Sequence, residues 1–365
     1  MAVHNSPCAY IDLGTIKDAG NLNITNTSYD SMLLMWAETA SRFVNEYCHR
    51  YFYCKEGIKY FDGVGQTLNL TEDVLSITEL ALDPSGTKTY STVMATTDYE
   101  MYPLNLFPTT YLKIATNAAY SNFATNIKAG VRITGVFGYG NGDSATSYIS
   151  SGITGTVATT TGTTLTLSNT ATGTMTNSTG TVTGSPVTLN AGANTPTVTV
   201  AGAFIINIPV GSTGTAVTGG WTVANSPVAL SAGNNTVTVQ AGGSGTITVT
   251  LTSTSIIQPG QTIRVESEQM YATSIDATNS TATVMRGVNG TTAAAHSSKA
   301  ISIYQYHPNV VGATMIQLSI WWKRRESGFA ARTGNSISGE YEIYKGLDEG
   351  VAALLSSGGL VRRAF

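Results

Sequence analysis

Hydrophobic residues follow a helical spacing in two stretches, one near each end of the chain. From Ser31 to Arg50 they recur at i, i+3, i+4 and i+7, which predicts a helix with one apolar face, capped by Asp30 or Ser28. The second helix begins at Pro308, a residue type favoured in a first turn, and Gly328 can end it. The residues predicted to be buried are Leu33, Trp36, Ala37, Ala40, Phe43, Val44 and Tyr47 on the first helix, and Val311, Thr314, Met315, Leu318, Trp321 and Trp322 on the second.

Between the first helix and residue 140 the pattern changes to short strands and turns. The segments "GIKYFDG" and "QTLNL" predict a hairpin that turns at residues 62–65, and "VLSITELALDPSG" predicts a strand that ends at Pro84. Pro103 and Pro108 exclude a central strand or a helix where they lie. The segment "IKAGVRITGVFGYG" predicts a last strand, and a short third helix is predicted over residues 347–357.

The middle of the chain has a different pattern, in which Thr and Val alternate around Gly- and Asn-rich turns. "SPVTLNAGANTPTVTVAG" begins at Ser185 and "SPVALSAGNNTVTVQAG" begins at Ser226, so the sequence repeats at an offset of 226 − 185 = 41 residues. Period-two runs such as "TITVTL" favour folded antiparallel strands over disorder. Residues 256–306 predict four or five further strands. We therefore expect an all-β segment here, sandwich- or barrel-like.

Charge sharpens this division of the chain. Charged residues make up 11% of the 365 residues, against about 25% in a typical globular protein. The shortage lies in the middle, because no Asp, Glu, Lys, Arg or His occurs from 144 to 263, which is 263 − 144 + 1 = 120 residues. The net charge of −3 gives no basic field that would favour nucleic acid. No signal peptide or membrane span is apparent, so we expect synthesis in the cytoplasm.

The candidate catalytic groups are two carboxylates and one histidine. Glu266 and Glu268 are two residues apart on a predicted strand and therefore on one face, where paired carboxylates would suit glycosidase chemistry. His296 has no carboxylate near it in sequence. Hydrogen-bonded structural roles explain these residues better, so no catalytic residue is assigned and the chain is not expected to be an enzyme.

Two short motifs have some of the residues of a metal site and of a nucleotide site. Cys48, His49 and Cys54 lie within seven residues, but the spacing of the cysteines is wrong for zinc and no second pair of ligands follows. The glycines of "GVFGYGNG" are not followed by a predicted helix, which a dinucleotide site requires. An odd count of three cysteines in so long a chain argues against a disulfide framework. No metal and no cofactor is expected.

Five segments outside the middle resemble one protein family. "FVNEYCHRYFYCKEGIKYFDG", "VLSITELALD", "DYEMYPLNLFP", "IKAGVRITGVFGYG" and "WWKRRESGF" are similar to segments of the head–tail adaptor (connector) proteins of tailed bacteriophages, in the same order. In that family the last strand leads directly to the helix. The resemblance therefore implies an α+β fold: a mainly helical adaptor core with short strands, formed by residues 1–140 and 307–365, and a large inserted all-β domain at 141–306. The insertion divides into possible modules at 141–255 and 256–306, and "IRVESEQMYATSI" with "ATVMRGVNGTTAAAHSSKA" resembles a β-module of phage structural proteins.

The resemblance also implies a function and partners. A member of this family forms a homo-oligomeric ring, a dodecamer, between the portal protein and the tail or tail-completion protein in the neck of the virion. DNA passes through its lumen without sequence recognition, and no membrane is involved. The C-terminal tail would dock on the portal through Leu360, Arg362, Arg363 and Phe365, and we expect this tail to be mobile in the free protein. Lys323, Arg324 and Arg325 are candidates for lumen or interface charges.

Two other interpretations remain open. The uncharged segment could be a virion decoration or a module that binds a receptor or glycan, although Phe204 and Trp221 are almost the only aromatic residues between 149 and 269. The cations at 323–325 could simply favour the dipole of a helix C-terminus. If the insertion is a separate domain, residues near 141 and 306 should lie close together. The insertion should fold on its own scaffold and project from the ring, and the chain without it should still fold and form rings.

Overall fold

The computed structural model describes residues 7–140, 148–169, 173–189, 192–208, 212–217, 222–230, 233–240, 245–246, 248–253, 257–276, 281–326, 332–335, 340–343 and 347–362. Strands account for 42% of the structure and helical residues for 19%. The expected mainly helical core is therefore wrong, because the part of the chain before residue 140 forms a six-stranded sheet. The alternating sequence pattern of residues 131–137 indicated a sheet, since buried and half-exposed positions alternate along that strand.

The helices and strands are named here in chain order. The described residues contain the helices α1 (Leu13–Lys17), α2 (Asp30–Cys48), α3 (Pro308–Glu326) and α4 (Glu349–Ser357). The strands are β1 (Lys55–Phe61), β2 (Thr67–Leu82), β3 (Thr92–Met94), β4 (Tyr99–Tyr102), β5 (Thr109–Ile114), β6 (Val131–Phe137), β7 (Tyr148–Val157), β8 (Thr164–Asn169), β9 (Gly173–Asn177), β10 (Thr181–Val182), β11 (Val187–Leu189), β12 (Gly192–Asn194), β13 (Thr197–Val200), β14 (Gly202–Ile208), β15 (Ser212–Val217), β16 (Thr222–Val223), β17 (Val228–Leu230), β18 (Gly233–Gln240), β19 (Gly245–Thr246), β20 (Thr248–Ser253), β21 (Thr262–Val265), β22 (Glu268–Asp276), β23 (Thr281–Met285), β24 (His296–Tyr304), β25 (Arg332–Asn335) and β26 (Glu340–Ile343).

The predicted helices are present, and α2 shows why its sequence folds this way. Its apolar stripe is buried, although Trp36, Phe43 and Tyr47 are only half-buried. The predicted capping is wrong, because Tyr29 occupies the N-cap position without a side-chain hydrogen bond. Asp30 instead forms an ion pair with Lys17, at 2.6 Å. His49 ends the helix in the left-handed conformation, where its N–H reaches the carbonyl groups of the last turn.

The six-stranded sheet has the order β1-β6-β2-β5-β4, and β3 pairs with β2. The hairpin predicted between β1 and β2 is wrong, since β1 pairs with β6 from Lys55 opposite Phe137 to Phe61 opposite Val131. Local contacts at the turn explain the difference. The carboxylate of Asp62 accepts a hydrogen bond from the Ala129 N–H at 2.8 Å, which directs the chain towards the start of β6.

The helices α2, α3 and α4 pack with this sheet into one unit, which we call the body. The helices share an apolar core with Phe52, Tyr53 and the C-terminal Leu360. The rings of Tyr139 and His307 are 6.2 Å apart, so the two ends of the middle segment lie close together, as expected from the sequence.

Six strands of the middle segment form a closed antiparallel barrel, in the order β21-β22-β23-β8-β7-β24. The barrel takes β7 and β8 from before residue 170 and its other four strands from after residue 261. It therefore includes strands from both sides of the boundary suggested at 255/256. Its core combines residues such as Leu165 and Ile257 from these two parts of the chain.

The strands β9 to β20 form a sandwich that is inserted between two strands of the barrel. One sheet has the order β11-β9-β14-β18-β16, and the facing strands are ordered β12-β20-β15-β17 and β10-β13-β19. Among the described residues, its core cluster contains only residues between 175 and 249, so the sandwich has a hydrophobic core of its own. Phe204, fully buried, is the largest side chain in this core.

Candidate functional site

The groups that suggested chemistry meet at one end of the barrel. Glu266 lies in the turn between β21 and β22, with a positive φ of 54°, and Glu268 begins β22. His296 begins β24, and its ring lies between the two carboxylates. The structure therefore gives His296 the carboxylate partners that it lacks in sequence. Arg286, which the sequence interpretation missed, comes from the end of β23.

Glu268 is fully buried and accepts hydrogen bonds on both oxygens. Arg286 binds it with two nitrogens, Nε to Oε1 at 2.7 Å and Nη2 to Oε2 at 2.8 Å. The N–H groups of Gly287 and Ala294 donate at 2.9 and 3.0 Å, and His296 Nε2 lies 2.9 Å from Oε2. A bidentate arginine is among the strongest partners that a carboxylate can have. This carboxylate is therefore completely occupied by the protein itself.

These contacts determine the charge of Glu268. Burial raises its pKa, but the hydrogen bonds from Arg286, the Ala294 N–H, His296 and the Gly287 N–H outweigh burial and lower the pKa to about 2. The side chain is ionised at neutral pH, so it cannot act as a general acid there. It also has no free lone pair with which to activate water.

His296 connects the two carboxylates. Its Nδ1 lies 2.8 Å from Glu266 Oε2 and its Nε2 lies 2.9 Å from Glu268 Oε2, so each ring nitrogen faces a carboxylate oxygen. Lys299 Nζ, at 2.8 Å from Glu266 Oε1, completes the cluster. Hydrogen bonds from Lys299 and His296 lower the pKa of Glu266. The arrangement is a continuous network of ionic and hydrogen-bonded side chains that joins β22, β23 and β24.

The cluster fixes the loop through which the barrel contacts the body. Asn289 in this loop donates to Gln269 Oε1 at 3.0 Å, and Gln269 Nε2 donates to the carbonyl of Cys54 at 3.1 Å. Gly290 lies so close to β1 that a Cβ there would collide with the carbonyl of Glu56. This requirement and its φ of 83° explain the glycine.

Aromatic hydroxyl groups extend the same junction. Tyr304 OH donates to the carbonyl of Phe52 at 2.8 Å, and Tyr271 OH donates to Glu38 of α2 at 3.0 Å. Tyr271 and Val288 share an apolar core with Leu33 of α2. The barrel is therefore not a scaffold separate from the body, because Tyr271 and Val288 complete a core that includes α2, whereas projection from a ring stays a prediction.

A pocket of about 420 Å³ lies where the N-terminal segment meets the barrel, away from the carboxylate cluster. It is lined by Tyr10, Asp12, Ile303, Tyr306 and Val311, among others. The Asp12 carboxylate already caps α1 through the Thr15 N–H at 2.9 Å. None of the cluster residues Glu266, Glu268 and His296 lines this pocket, so the pocket does not serve as a substrate site for them.

The C-terminal residues predicted to dock on the portal occupy two kinds of position. Leu360 is fully buried among the helices of the body. Arg362 points inward, with Nη1 at 3.2 Å from Asp73 Oδ1, and Arg50 Nε lies 3.3 Å from the other oxygen. Burial raises the pKa of Asp73 although the two guanidinium groups oppose it. Arg363 and Phe365 lie outside the described residues, and docking stays a prediction.

The cations at the end of α3 are also placed unequally. The Arg325 guanidinium lies over the rings of Tyr29 and Trp322, at 4.4 and 5.1 Å from their centroids. Arg324 is half-buried and Lys323 is exposed. Stacking on aromatic rings stabilises the contact between α2 and α3. A role in a lumen or interface stays a prediction for these three residues.

The other candidates have structural positions. Cys48 and Cys54 are buried free thiols, while His49 is exposed at the end of α2. In the part of the chain that the structure describes, no cluster of His, Cys, Asp and Glu is suited to a metal ion. Among those same residues no helix is both long and apolar enough to span a bilayer. The chain matches no family model, and the comparisons with curated proteins and with solved structures found no match either.

Proposed function

We propose that this chain is a structural head–tail adaptor of a tailed phage. It forms a ring that joins the portal to the tail in the virion neck, and DNA passes through the ring. The observation that carries the proposal is that the five resembling segments, which come from both ends of the sequence, contribute to one body. The segments at 43–63 and 321–329 contain Phe43 and Trp321, whose rings lie 5.7 Å apart.

The carboxylate cluster supports a structural function over an enzymatic one. Glu268 is buried and fully hydrogen-bonded, and its partners connect the barrel to the loop that contacts the body. A catalytic carboxylate needs an oxygen that is free to exchange a proton or to attack a substrate, and both oxygens of Glu268 are already hydrogen-bonded. We therefore expect no turnover of peptidoglycan, polysaccharide or nucleic acid.

One face of the six-stranded sheet fits a contact between neighbouring copies in a ring. Tyr60 and Val93 lie on one face across β1, β6, β2 and β3, with the half-buried Arg132 and the buried Ala81 between them. Tyr60 is 54% exposed and Val93 52%, and Ile58, two residues before Tyr60, is 52% exposed. Aromatic side chains and arginine are enriched in protein interfaces.

The test is electron microscopy and native mass spectrometry of the full chain. We expect rings with a central hole. Replacing Ile58 and Tyr60 by lysine should abolish the rings and leave the circular dichroism spectrum unchanged, because both side chains are exposed. Ile205→Lys, on the outer face of the sandwich, is the matched control and should leave the rings intact. A wild-type chain that stays monomeric at high concentration would contradict the proposal.

A further inference from the structure

The two sequence repeats of the sandwich have the same local structure. Val187 lies opposite Met175 in the pair β11–β9, and Val228 lies opposite Ala216 in the pair β17–β15. Both members of the second pair follow their counterparts by 41 residues, the offset of the repeat. The same offset separates three pairs of buried core residues: Met175 and Ala216, Val182 and Val223, and Leu189 and Leu230.

Each repeat completes its sheet with a strand of the other repeat. In the first sheet β14, from the first repeat, pairs with β18, from the second, with Gly202 opposite Val239 and Ile208 opposite Gly233. In the facing sheet β20, from the second repeat, pairs with β12, from the first, with Gly192 opposite Leu251. Gly233 follows Gly192 by 41 residues, so the donated strands are equivalent. The two halves have exchanged equivalent strands.

The remaining pairs follow the same scheme. Thr181 lies opposite Val200 within the first repeat, and Thr222 lies opposite Gln240 within the second. β13 also pairs with β19 of the second repeat. The second sheet order, β17-β15-β20-β12 with β13 and β10, therefore reproduces β11-β9-β14-β18-β16. The facing strands differ in that the counterpart of β18 is divided into β12 and β13, at a buried proline, Pro196, and the counterpart of β14 into β19 and β20. Proline lacks the N–H that a continuous ladder needs.

We infer that the sandwich is an internal dimer of two similar half-domains, residues 173–208 and 212–253, and that a second copy of this chain can supply the partner half. Each half has an acceptor strand, β14 or β20, and a donor strand, β18 or the pair β12 and β13. The edge of β14 or β20 pairs through its backbone N–H and C=O groups with a strand of the other half of the same chain. The same groups can pair with the equivalent strand of a second chain. The proposal does not depend on the function proposed above.

The charge of the segment favours a second copy as the partner. No Asp, Glu, Lys, Arg or His occurs between 144 and 263, so two copies meet without repulsion. A charged partner, by contrast, would find no complementary charge there. The outer face of the exchanged sheet presents amides, and Asn207 Nδ2 donates to Asn234 Oδ1 across the β14–β18 pair at 2.7 Å. Recognition rests on backbone pairing and on apolar packing, which two like halves can provide.

The test compares three shortened chains that all retain the body and the barrel, and all carry Ile58→Lys and Tyr60→Lys so that ring formation cannot mask pairing of the halves. The first has a Gly/Ser linker in place of 209–256 and keeps only the first half. The second has a linker in place of 170–211 and keeps only the second half. The reference has a linker in place of 170–256 and lacks both halves. Light scattering measures the mass of each, and circular dichroism measures its β-content.

We expect each one-half chain to have about twice the particle mass of the reference, and the equimolar mixture to form hetero-pairs. Ile205→Lys on the exposed face of the first half is the control that should leave pairing unchanged. The inference is overturned if a one-half chain keeps its strands but has the reference mass alone and in the mixture. If a one-half chain loses its strands alone, mixing must restore them, and a mixture that does not restore them also overturns the inference.

Discussion

The barrel and the sandwich are both antiparallel β-structures within one uninterrupted insertion, yet they relate to the body in opposite ways. The barrel contributes Tyr271 and Val288 to a core shared with α2, and donates hydrogen bonds to backbone carbonyls at Phe52 and Cys54. In the part of the chain that the structure describes, the core of the sandwich is built from its own residues. Position in the sequence therefore does not determine which part of an insertion is independent.

The two regions also differ in how they hold themselves together. The barrel contains a buried carboxylate, an arginine and a histidine, each dependent on the others. The sandwich has no ionisable group and relies on apolar packing and backbone pairing. Removing one member of a buried ionic cluster leaves an uncompensated charge, whereas removing one polar contact from an exposed sheet face leaves groups that water can satisfy. The barrel should therefore be the more sensitive region.

The largest effect should come from deleting the barrel. Replacing residues 143–305 by a short Gly/Ser linker exposes the apolar surface of α1 and α2 and leaves the carbonyls of Phe52 and Cys54 without their partners. We expect this chain to be unfolded or aggregated. Replacing only 170–256 should leave a folded chain, because an eight-residue linker spans roughly 15 Å and the barrel remains closed. Circular dichroism and limited proteolysis distinguish the two outcomes.

The barrel and the sandwich have different roles only if the two deletions differ in their effect on folding. If the chain without 143–305 folds with a cooperative transition, the barrel is dispensable and the comparison fails. If the chain without 170–256 unfolds, the sandwich is not independent. An equal loss of folding in both would assign the two regions the same role.

The second effect is the loss of the buried charge at Glu268. Glu268→Gln removes the charge that compensates Arg286, which is itself only 7% exposed, and breaking such a buried pair typically costs about 3–5 kcal/mol. The free energy of unfolding from denaturant titration measures this. Glu266→Gln is the matched control in the same cluster. Its side chain is 46% exposed, so we expect a loss below about 1 kcal/mol. Equal losses for the two variants would contradict the assigned roles.

Some elements of the fold could be predicted from the sequence and others could not, for physical reasons that differ from element to element. Local periodicity predicted α2, α3 and α4, because 3.6-residue spacing is visible within one element. It also predicted the β-character of the middle and the 41-residue repeat. The partner of a strand depends on residues far away in sequence, so the pairing of β1 with β6, and the barrel built from 148–169 and 262–304, could not be predicted this way.

The candidate site shows the same limit. Glu266, Glu268 and His296 were recognised by residue type, but Arg286 was not, since nothing near it in sequence indicates a carboxylate partner. The burial of Leu360 and Arg362 was also missed. A tail after two glycines suggests mobility, but Asp73, which pairs with Arg362, is 289 residues away. Only the fold brings them together.

The third effect should be a difference in acid sensitivity between the two regions. The pKa of Glu268 is lowered to about 2, from an ordinary value of 4.5. A carboxylate with a lowered pKa stabilises the folded state above its unfolded pKa, and this contribution is lost as the pH falls from about 4.5 to about 2. The full contribution is on the order of 3 kcal/mol, and Asp73, whose burial raises its pKa, works in the opposite direction.

The sandwich, which has no ionisable residue, should not respond over this range. Calorimetry at pH 7, 5, 3 and 2 should show the transition of the body and barrel shifting to lower temperature, while the sandwich transition stays constant. Glu268→Gln should flatten the pH dependence of the first transition. A sandwich transition that falls in parallel would show that the two regions unfold together.

The smallest effect should come from removing single neutral hydrogen bonds. Its size should differ between the junction of barrel and body and the surface of the sandwich. Tyr304→Phe removes the hydroxyl that donates to the buried carbonyl of Phe52, and we expect a loss of about 1–2 kcal/mol in the transition of the body and barrel. Asn207→Ala removes an exposed amide pair from the sandwich, where water can replace the lost partner, so we expect less than about 0.5 kcal/mol. Denaturant titration of both variants measures the two losses. The unfolding transition in which each loss of stability appears is the informative result. If Tyr304→Phe lowers the stability of the sandwich transition, the junction affects the sandwich beyond the residues it contacts. The two regions would then not be independent.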